Sequence, residues 1–185
     1  FFDEENKSSI AGRIREWPDT KRTDVARNIT ISATGRKANP CFTISDSGEG
    51  QTPDKMPDTF LSLNKSNKIR IPFVQGKFNM GGTGVLQFCG KHKLQLIVSK
   101  RNPSLLNGNT ETNPSDYLWG YTVVRREDPK GGLRNPVFTF LAPTINDNAP
   151  GSILRFKSDS LPIFPKGRNA YTREALSGTL IKLYD

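Results

Sequence analysis

The alternation of apolar and polar positions along the chain predicts many β-strands and few helices. In residues 28–34, NITISAT, Ile29 and Ile31 fall on one face, as they do in a half-buried strand. The run CFTIS at 41–45 follows the turn GRKANP and is expected to pair with the first strand as a hairpin. Further strands are predicted at 93–101, 117–127, 137–142, 152–157 and 178–184. We expect these seven segments to form one mixed or antiparallel sheet.

Helical signals are short and lie mainly around a glycine-rich stretch. Short helices are predicted in TPDKMPDTFLSL, VLQFCG and YTREAL, whereas the polar run PDTKRTD at 18–24 predicts a loop. With these helices on one face of the sheet, the expected fold class is α+β, a two-layer α/β sandwich with a mixed, largely antiparallel sheet. The length suits a single domain over residues 1–185.

Composition narrows the classes of protein and of partner. No apolar run is long enough to cross a bilayer, and the start, FFDEENKSS, lacks the features of a signal peptide. We therefore expect a cytoplasmic protein with no membrane partner. The chain does not begin with Met, which favours an N-terminally truncated domain.

Charge and metal ligands change the picture less. Lys and Arg outnumber Asp and Glu by 27 to 18, which favours anionic partners such as nucleotides, nucleic acid or an acidic protein. The basic residues are dispersed, so an ordinary solvated surface explains them equally well. Cys41, Cys89 and His92 stand on unrelated segments, so no metal site is predicted.

The strand at 41–45 runs directly into the first motif, a D-x-G-x-G formed by Asp46, Gly48 and Gly50. A carboxylate at a strand end can accept a hydrogen bond from a buried amine, and glycines let the backbone approach a flat ring closely. On its own this pattern is more typical of an ordinary turn at the end of a strand.

Two more motifs follow in order. The loop Gly76-Lys77-Phe78-Asn79-Met80-Gly81-Gly82-Thr83-Gly84 precedes an apolar run, and consecutive backbone amides at such a place can bind phosphate oxygens. It lacks the Gly-Lys-Ser/Thr of a Walker A loop and the entering strand of a Rossmann fingerprint. Near the end of the chain, Gly178-Thr179 opens a strand.

In this order the three motifs resemble those of the GHKL superfamily, which includes gyrase, heat-shock chaperones, histidine kinases and MutL-type repair proteins. The resemblance implies a Bergerat-type ATP-binding fold with ATP as ligand and a lid over about 52–84. It implies that Asp46 binds the adenine amine, that Gly48 and Gly50 shape the turn against the base, and that Thr179 supports the base. The phosphate-binding residues would then be Lys77, Phe78, Asn79, Met80, Gly81, Gly82 and Thr83.

The chain departs from the family at its first motif, a helix with a catalytic Glu and, four residues later, a magnesium-binding Asn. No E-x-x-x-N stands on an apolar helix before Asp46, since Glu5 and Asn6 are adjacent in a polar run. The catalytic residues therefore stay unknown. We expect ATPase activity, with Mg²⁺, in a full-length protein, and none in this fragment.

The sequence leaves other functions open. In a GHKL-type ATPase, ATP would drive a conformational change or homodimerisation. A histidine-kinase-like catalytic domain is a second reading, although no phosphoacceptor helix is present. A third is a basic nucleic-acid-binding module, in which Tyr117, Trp119 and Tyr121 would stack on bases beside Arg125 and Arg126. Alternating aromatic residues on a strand more commonly pack a core.

Overall fold

The computed structural model describes residues 14–62, 80–106, 113–129, 131, 135–144, 151–163 and 173–185. A seven-stranded sheet dominates this part of the chain, with strand order β1-β2-β9-β3-β4-β5 and with β6 also paired to β4. The strands of this sheet are β1 (Ile29–Arg36), β2 (Asn39–Asp46), β3 (Leu94–Lys100), β4 (Trp119–Glu127), β5 (Val137–Phe140), β6 (Leu154–Phe156) and β9 (Gly178–Leu183). A separate two-stranded ribbon joins β7 (Leu161–Pro162) to β8 (Glu174–Ala175).

All seven strands predicted from the sequence are confirmed, and they share one sheet. Every described pairing is antiparallel, including the β1–β2 hairpin, whose register runs from Ile29 opposite Asp46 to Arg36 opposite Asn39. The apolar run at 94–98 forms β3 at the centre of the sheet, where strands are buried on both faces.

The predicted two-layer α/β sandwich of the Bergerat type, with its mixed sheet, is wrong. Besides a helical segment at 14–16, the described residues contain two α-helices, α1 (Asp19–Ala26) and α2 (Met80–Gly84), the second only five residues long. In TPDKMPDTFLSL the prolines at 53 and 57 restrict helix formation, and only a 3₁₀ turn forms at Pro53–Lys55. Three glycines in α2 oppose a longer helix there. The chain is therefore a mostly antiparallel β protein.

Two local predictions also fail. The polar run at 18–24 lies in α1, which has no buried residue, so the apolar periodicity that usually marks a helix is absent. Ion pairs three residues apart support this helix, between Asp19 and Arg22 and between Asp24 and Arg27. The segment YTREAL contributes β8 instead of helical turns, because Glu174 and Ala175 pair with β7.

Segments outside the main sheet pack against both of its faces around β3 and β4. On the face that we call the front, buried residues form one cluster: Met56, Leu86, Cys89, Ile97, Val124 and Ile153. On the back face, Val98, Trp119 and Ala175 form a second cluster. Ala175 belongs to β8, so the β7–β8 ribbon packs on the back of the sheet.

Candidate functional site

The sheet brings the first and third motifs together. In the β2–β9 register Asp46 lies opposite Thr179, and in the β9–β3 register Thr179 lies opposite Ser99. Directly opposed residues on neighbouring strands place their side chains on the same face, close enough to interact. Asp46, Thr179 and Ser99 therefore form one row across the front face, which we call the polar row.

The Asp46 carboxylate is half-buried and only partly engaged. Its Oδ1 accepts a hydrogen bond from the backbone N–H of Gly48 at 2.9 Å, the geometry of an Asx turn. No described residue donates to Oδ2. Because an ionised carboxylate is an acceptor only, this second oxygen can accept a hydrogen bond from a ligand.

Two glycines allow the backbone to close around the polar row. Gly50 has φ +60°, and a Cβ there would lie 1.9 Å from the Lys100 carbonyl oxygen. Gly178 has φ +110°, and its Cβ would lie 2.0 Å from the Asp46 carbonyl oxygen. Both positions thus require glycine for contact with neighbouring backbone. The close approach of Gly48 and Gly50 to a base stays a prediction.

Residues at the end of β3 hold the D-x-G-x-G turn in place. The backbone N–H of Asn102 donates to the Glu49 carbonyl oxygen at 2.8 Å. The Arg101 guanidinium pairs with the Glu49 carboxylate at 2.8 Å and donates to the Gly50 carbonyl oxygen at 3.2 Å. The sequence analysis missed these residues, although a charged, polar run directly after a buried strand was a signal.

A buried hydroxyl network lies beneath the turn. Ser99 is 0% exposed, and its Oγ accepts from the Gln51 backbone N–H at 2.9 Å. The same oxygen lies 3.1 Å from the Gly178 carbonyl oxygen and 3.1 Å from Thr179 Oγ1. Ser99 was also missed, and its only sequence signal was a hydroxyl at the end of the apolar run LQLIVS.

The segment after the turn packs over the next position of the polar row. Gly120 pairs with Ser99, and a Cβ at Gly120 would lie 2.7 Å from Met56 Sδ. Met56 is itself 0% exposed, and Phe60 and Leu61 pack against the same core cluster. The first described part of the predicted lid, residues 52–62, is therefore anchored to the core, and residues 63–79 lie outside the described ranges.

The glycine-rich loop is only partly described. Lys77, Phe78 and Asn79 lie outside the described residues, while Met80, Gly81, Gly82 and Thr83 belong to α2. No heavy atom lies within 4 Å of a Cβ built on Gly81 or Gly82. In the described part, no backbone hydrogen bond joins α2 to the polar row. The phosphate role of this loop stays a prediction.

The two cysteines are not part of the polar row. Cys89 is buried and Cys41 half-buried, both with free thiols, and burial raises the pKa of the Cys89 thiol. A raised pKa keeps the thiol protonated and unreactive. Among the described residues no group of three or more His, Cys, Asp or Glu side chains could hold a metal ion.

No protein-family model matches the sequence, and no curated protein sequence matches it. None of the helices in the described ranges is both long and apolar enough to cross a membrane.

Proposed function

We propose that this chain binds ATP and acts as the nucleotide-binding domain of a GHKL-type ATPase. The observation that carries the proposal is the direct pairing of Asp46 with Thr179, two residues that are far apart in the sequence. Both belong to sequence motifs that resemble those of the family. The glycine-rich loop, which lies between them in the sequence, adds support of the same kind.

The chemistry of the polar row suits the amine-bearing edge of adenine. The free Oδ2 of Asp46 can accept from the exocyclic amine, and the Thr179 hydroxyl lies on the same face one strand away. Thr179 is only 8% exposed, so a base placed here would leave water and make its hydrogen bonds in a low-dielectric setting. Such buried polar partners give strong discrimination between ligands.

Phosphate binding would come from the glycine-rich loop at 76–84, with backbone amides as donors and Lys77 as counter-charge. We expect residues 1–185 to bind ATP without turning it over, because no E-x-x-x-N on an apolar helix precedes Asp46. The described residues offer no cluster of three or more His, Cys, Asp or Glu side chains for Mg²⁺. Homodimerisation, an acidic or nucleic-acid partner and a cytoplasmic location stay predictions.

The nucleic-acid alternative loses its main stacking residue. Trp119 is 1% exposed, and its indole N–H donates to the Ser158 carbonyl oxygen at 3.1 Å. Tyr121 packs edge-on against Phe156 with ring centroids 5.7 Å apart. Both aromatic side chains are thus engaged in the back core, as alternating aromatics on a strand usually are.

The test is Asp46→Asn, measured by calorimetric titration with ATP and Mg²⁺. The substitution can turn an amide N–H₂ toward the adenine amine, which leaves a buried donor unsatisfied at a cost of about 1–3 kcal/mol. We therefore expect ATP affinity to fall by roughly ten- to a hundredfold.

Asp128→Asn is the matched control for this test. Asp128 follows the end of β4 and pairs with Lys93 at 2.7 Å, outside the polar row and outside the predicted lid. ATP affinity should be unchanged in this variant. Equal ATP affinity in the wild-type chain and in Asp46→Asn would contradict the proposed function.

A further inference from the structure

We infer that Ser99 is a positioning residue that turns the Thr179 hydroxyl into a hydrogen-bond acceptor, so that the site selects a 6-amino purine over a 6-oxo purine. The inference rests on the proposed function and deepens it. The contacts of Ser99 determine the neighbour to which each of the two hydroxyls donates its proton.

Because the Ser99 hydroxyl has a single proton, only one arrangement of hydrogen bonds satisfies all of its contacts. A serine hydroxyl has one donor and two acceptor positions, and Ser99 Oγ has three protein neighbours within 3.1 Å. The Gln51 N–H can only donate, and the Gly178 carbonyl oxygen can only accept. All three contacts are hydrogen bonds only if Ser99 donates to Gly178 and accepts from both Gln51 and Thr179.

This arrangement determines what Thr179 offers to a ligand. Because the Thr179 proton is committed to Ser99, the lone pairs of Thr179 Oγ1 are what remains for the base. Asp46 Oδ2 is an acceptor as well, so Asp46 and Thr179, neighbours in the polar row, offer acceptors only. An exocyclic amine matches this pair, whereas a purine carbonyl would meet it with like polarity.

Burial keeps the arrangement fixed. Ser99 is 0% exposed, so no solvent water competes for its hydrogen bonds. Removing its hydroxyl takes away the acceptor of the Thr179 proton. The Thr179 proton would then be free to rotate toward a ligand and to donate. The loss of Ser99 Oγ should therefore change selectivity between bases in addition to stability.

The experiment compares ATP with inosine triphosphate, which carries a carbonyl in place of the amine, on the same preparation of the 185-residue chain. The readout is the ratio of the two dissociation constants, because a general loss of folded protein affects both ligands alike. Wild-type protein should prefer ATP by at least about tenfold, and Ser99→Ala should reduce that preference by about tenfold. Ser45→Ala is the matched control, since Ser45 on β2 is 2% exposed and no described residue forms a hydrogen bond with its Oγ.

A second pair of variants keeps the test decisive if Ser99→Ala does not fold. Thr179→Val removes the acceptor, and should weaken ATP about tenfold while leaving inosine triphosphate unchanged. Thr179→Ser keeps the hydroxyl and should keep the preference.

The outcomes separate the two proposals. If the ratio of the two dissociation constants is unchanged in Ser99→Ala, this inference is overturned. If Ser99→Ala is unfolded, an unchanged ratio in Thr179→Val overturns it instead. In either case, tight ATP binding by the wild-type chain preserves the proposed function. A wild-type chain that binds neither nucleotide overturns the proposed function, and this inference with it.

Discussion

One row of isoleucines shows that the front face is covered on its β3 side and left bare on its β1–β2 side. Ile31, Ile44, Ile181 and Ile97 lie opposite one another on β1, β2, β9 and β3. Ile31 is 68% exposed, Ile44 is 37% exposed and Ile97 is 3% exposed. These residues share residue type, strand pattern and face, so their exposure differs because other segments of the chain pack over some of the strands and not over others.

The covered side lies under Met56, Leu86 and Cys89, which pack with Ile97 into the front core. The bare side, β1 and β2, carries four exposed apolar side chains on this face: Ile29, Ile31, Phe42 and Ile44. Alternation of apolar and polar residues indicates a strand face that could be buried, whereas its actual burial depends on tertiary packing. The stabilisation therefore comes from the covered side.

The polar row crosses the boundary between these two sides. Asp46 is half-buried and pairs on its other edge with Ile29, which is 66% exposed. Ser99, at the other end of the row, is 0% exposed. The row thus presents an open acceptor on the bare side and a sealed hydroxyl network on the covered side. A base bound here would contact both environments.

The largest expected effect comes from truncating the same residue on the two sides. Ile97→Ala should lower the free energy of unfolding by about 2–5 kcal/mol, because it removes buried methylenes and leaves a cavity. Ile31→Ala should change it by no more than about 0.5 kcal/mol, as most exposed positions do. Urea unfolding of the two variants measures the difference.

Equal destabilisation by Ile97→Ala and Ile31→Ala would break the comparison, because it would mean that the front of β1 is covered in solution. Ile44→Ala, at an intermediate exposure, should fall between the two and so sharpen it.

A smaller effect is expected at the turn on the boundary. Gly50 and Gly131 have nearly equal φ, +60° and +61°, but a Cβ at Gly131 meets no atom of the described residues within 4 Å. Gly131→Ala should therefore cost only the left-handed strain, about 1–2 kcal/mol. Gly50→Ala must also displace the Lys100 carbonyl, so we expect about 1–3 kcal/mol more. Thermal unfolding of the two variants tests this.

Nucleotide titration of the same variants sharpens the result. Gly50→Ala should also weaken ATP binding, because the turn that holds Asp46 must move, whereas Gly131→Ala should leave it unchanged. Matching unfolding temperatures for the two variants would contradict the close contact at Gly50.

The strands could be predicted from the sequence because their signal is local. Alternation in NITISAT and the apolar run LQLIVS need no knowledge of the rest of the fold. The helical layer was predicted from short local signals, and it fails where prolines and glycines oppose helix formation, at 53–57 and 80–84. Helix α1 was missed because it buries nothing and so carries no apolar period.

The candidate site was predictable only in the residues that carry a motif. Asp46 and Thr179 were selected by their neighbours in the sequence, and the register then placed them together. Ser99 and Arg101 act through contacts with residues far away in the chain, such as Gly178 and Glu49. Their roles follow from the pairing of β3 with β9, which no local pattern determines.

The smallest expected effect lies at the rim of the covered side, where β3 begins and β4 ends. The Lys93 ammonium donates to both carboxylate oxygens of Asp128 at 2.7 Å, and Arg126 lies 3.4 Å from one of them. The hydrogen bond from Lys93, followed by the nearby positive charges, holds the pKa of Asp128 below its ordinary value of 3.8. Asp128 is exposed, so the contribution of the pair to stability is small.

The sign of the pH dependence follows from the lowered pKa. A carboxyl whose folded-state pKa is depressed contributes stability above its unfolded pKa and loses it as pH falls through the folded value. Asp128→Asn should therefore be slightly less stable than wild type at pH 7, and the difference should vanish by about pH 2. Urea unfolding at both pH values measures it, with Asp159→Asn as control, because no ion pair of Asp159 is found in the described ranges. A difference that persists at low pH would show that Asp128 acts through packing and not through its charge.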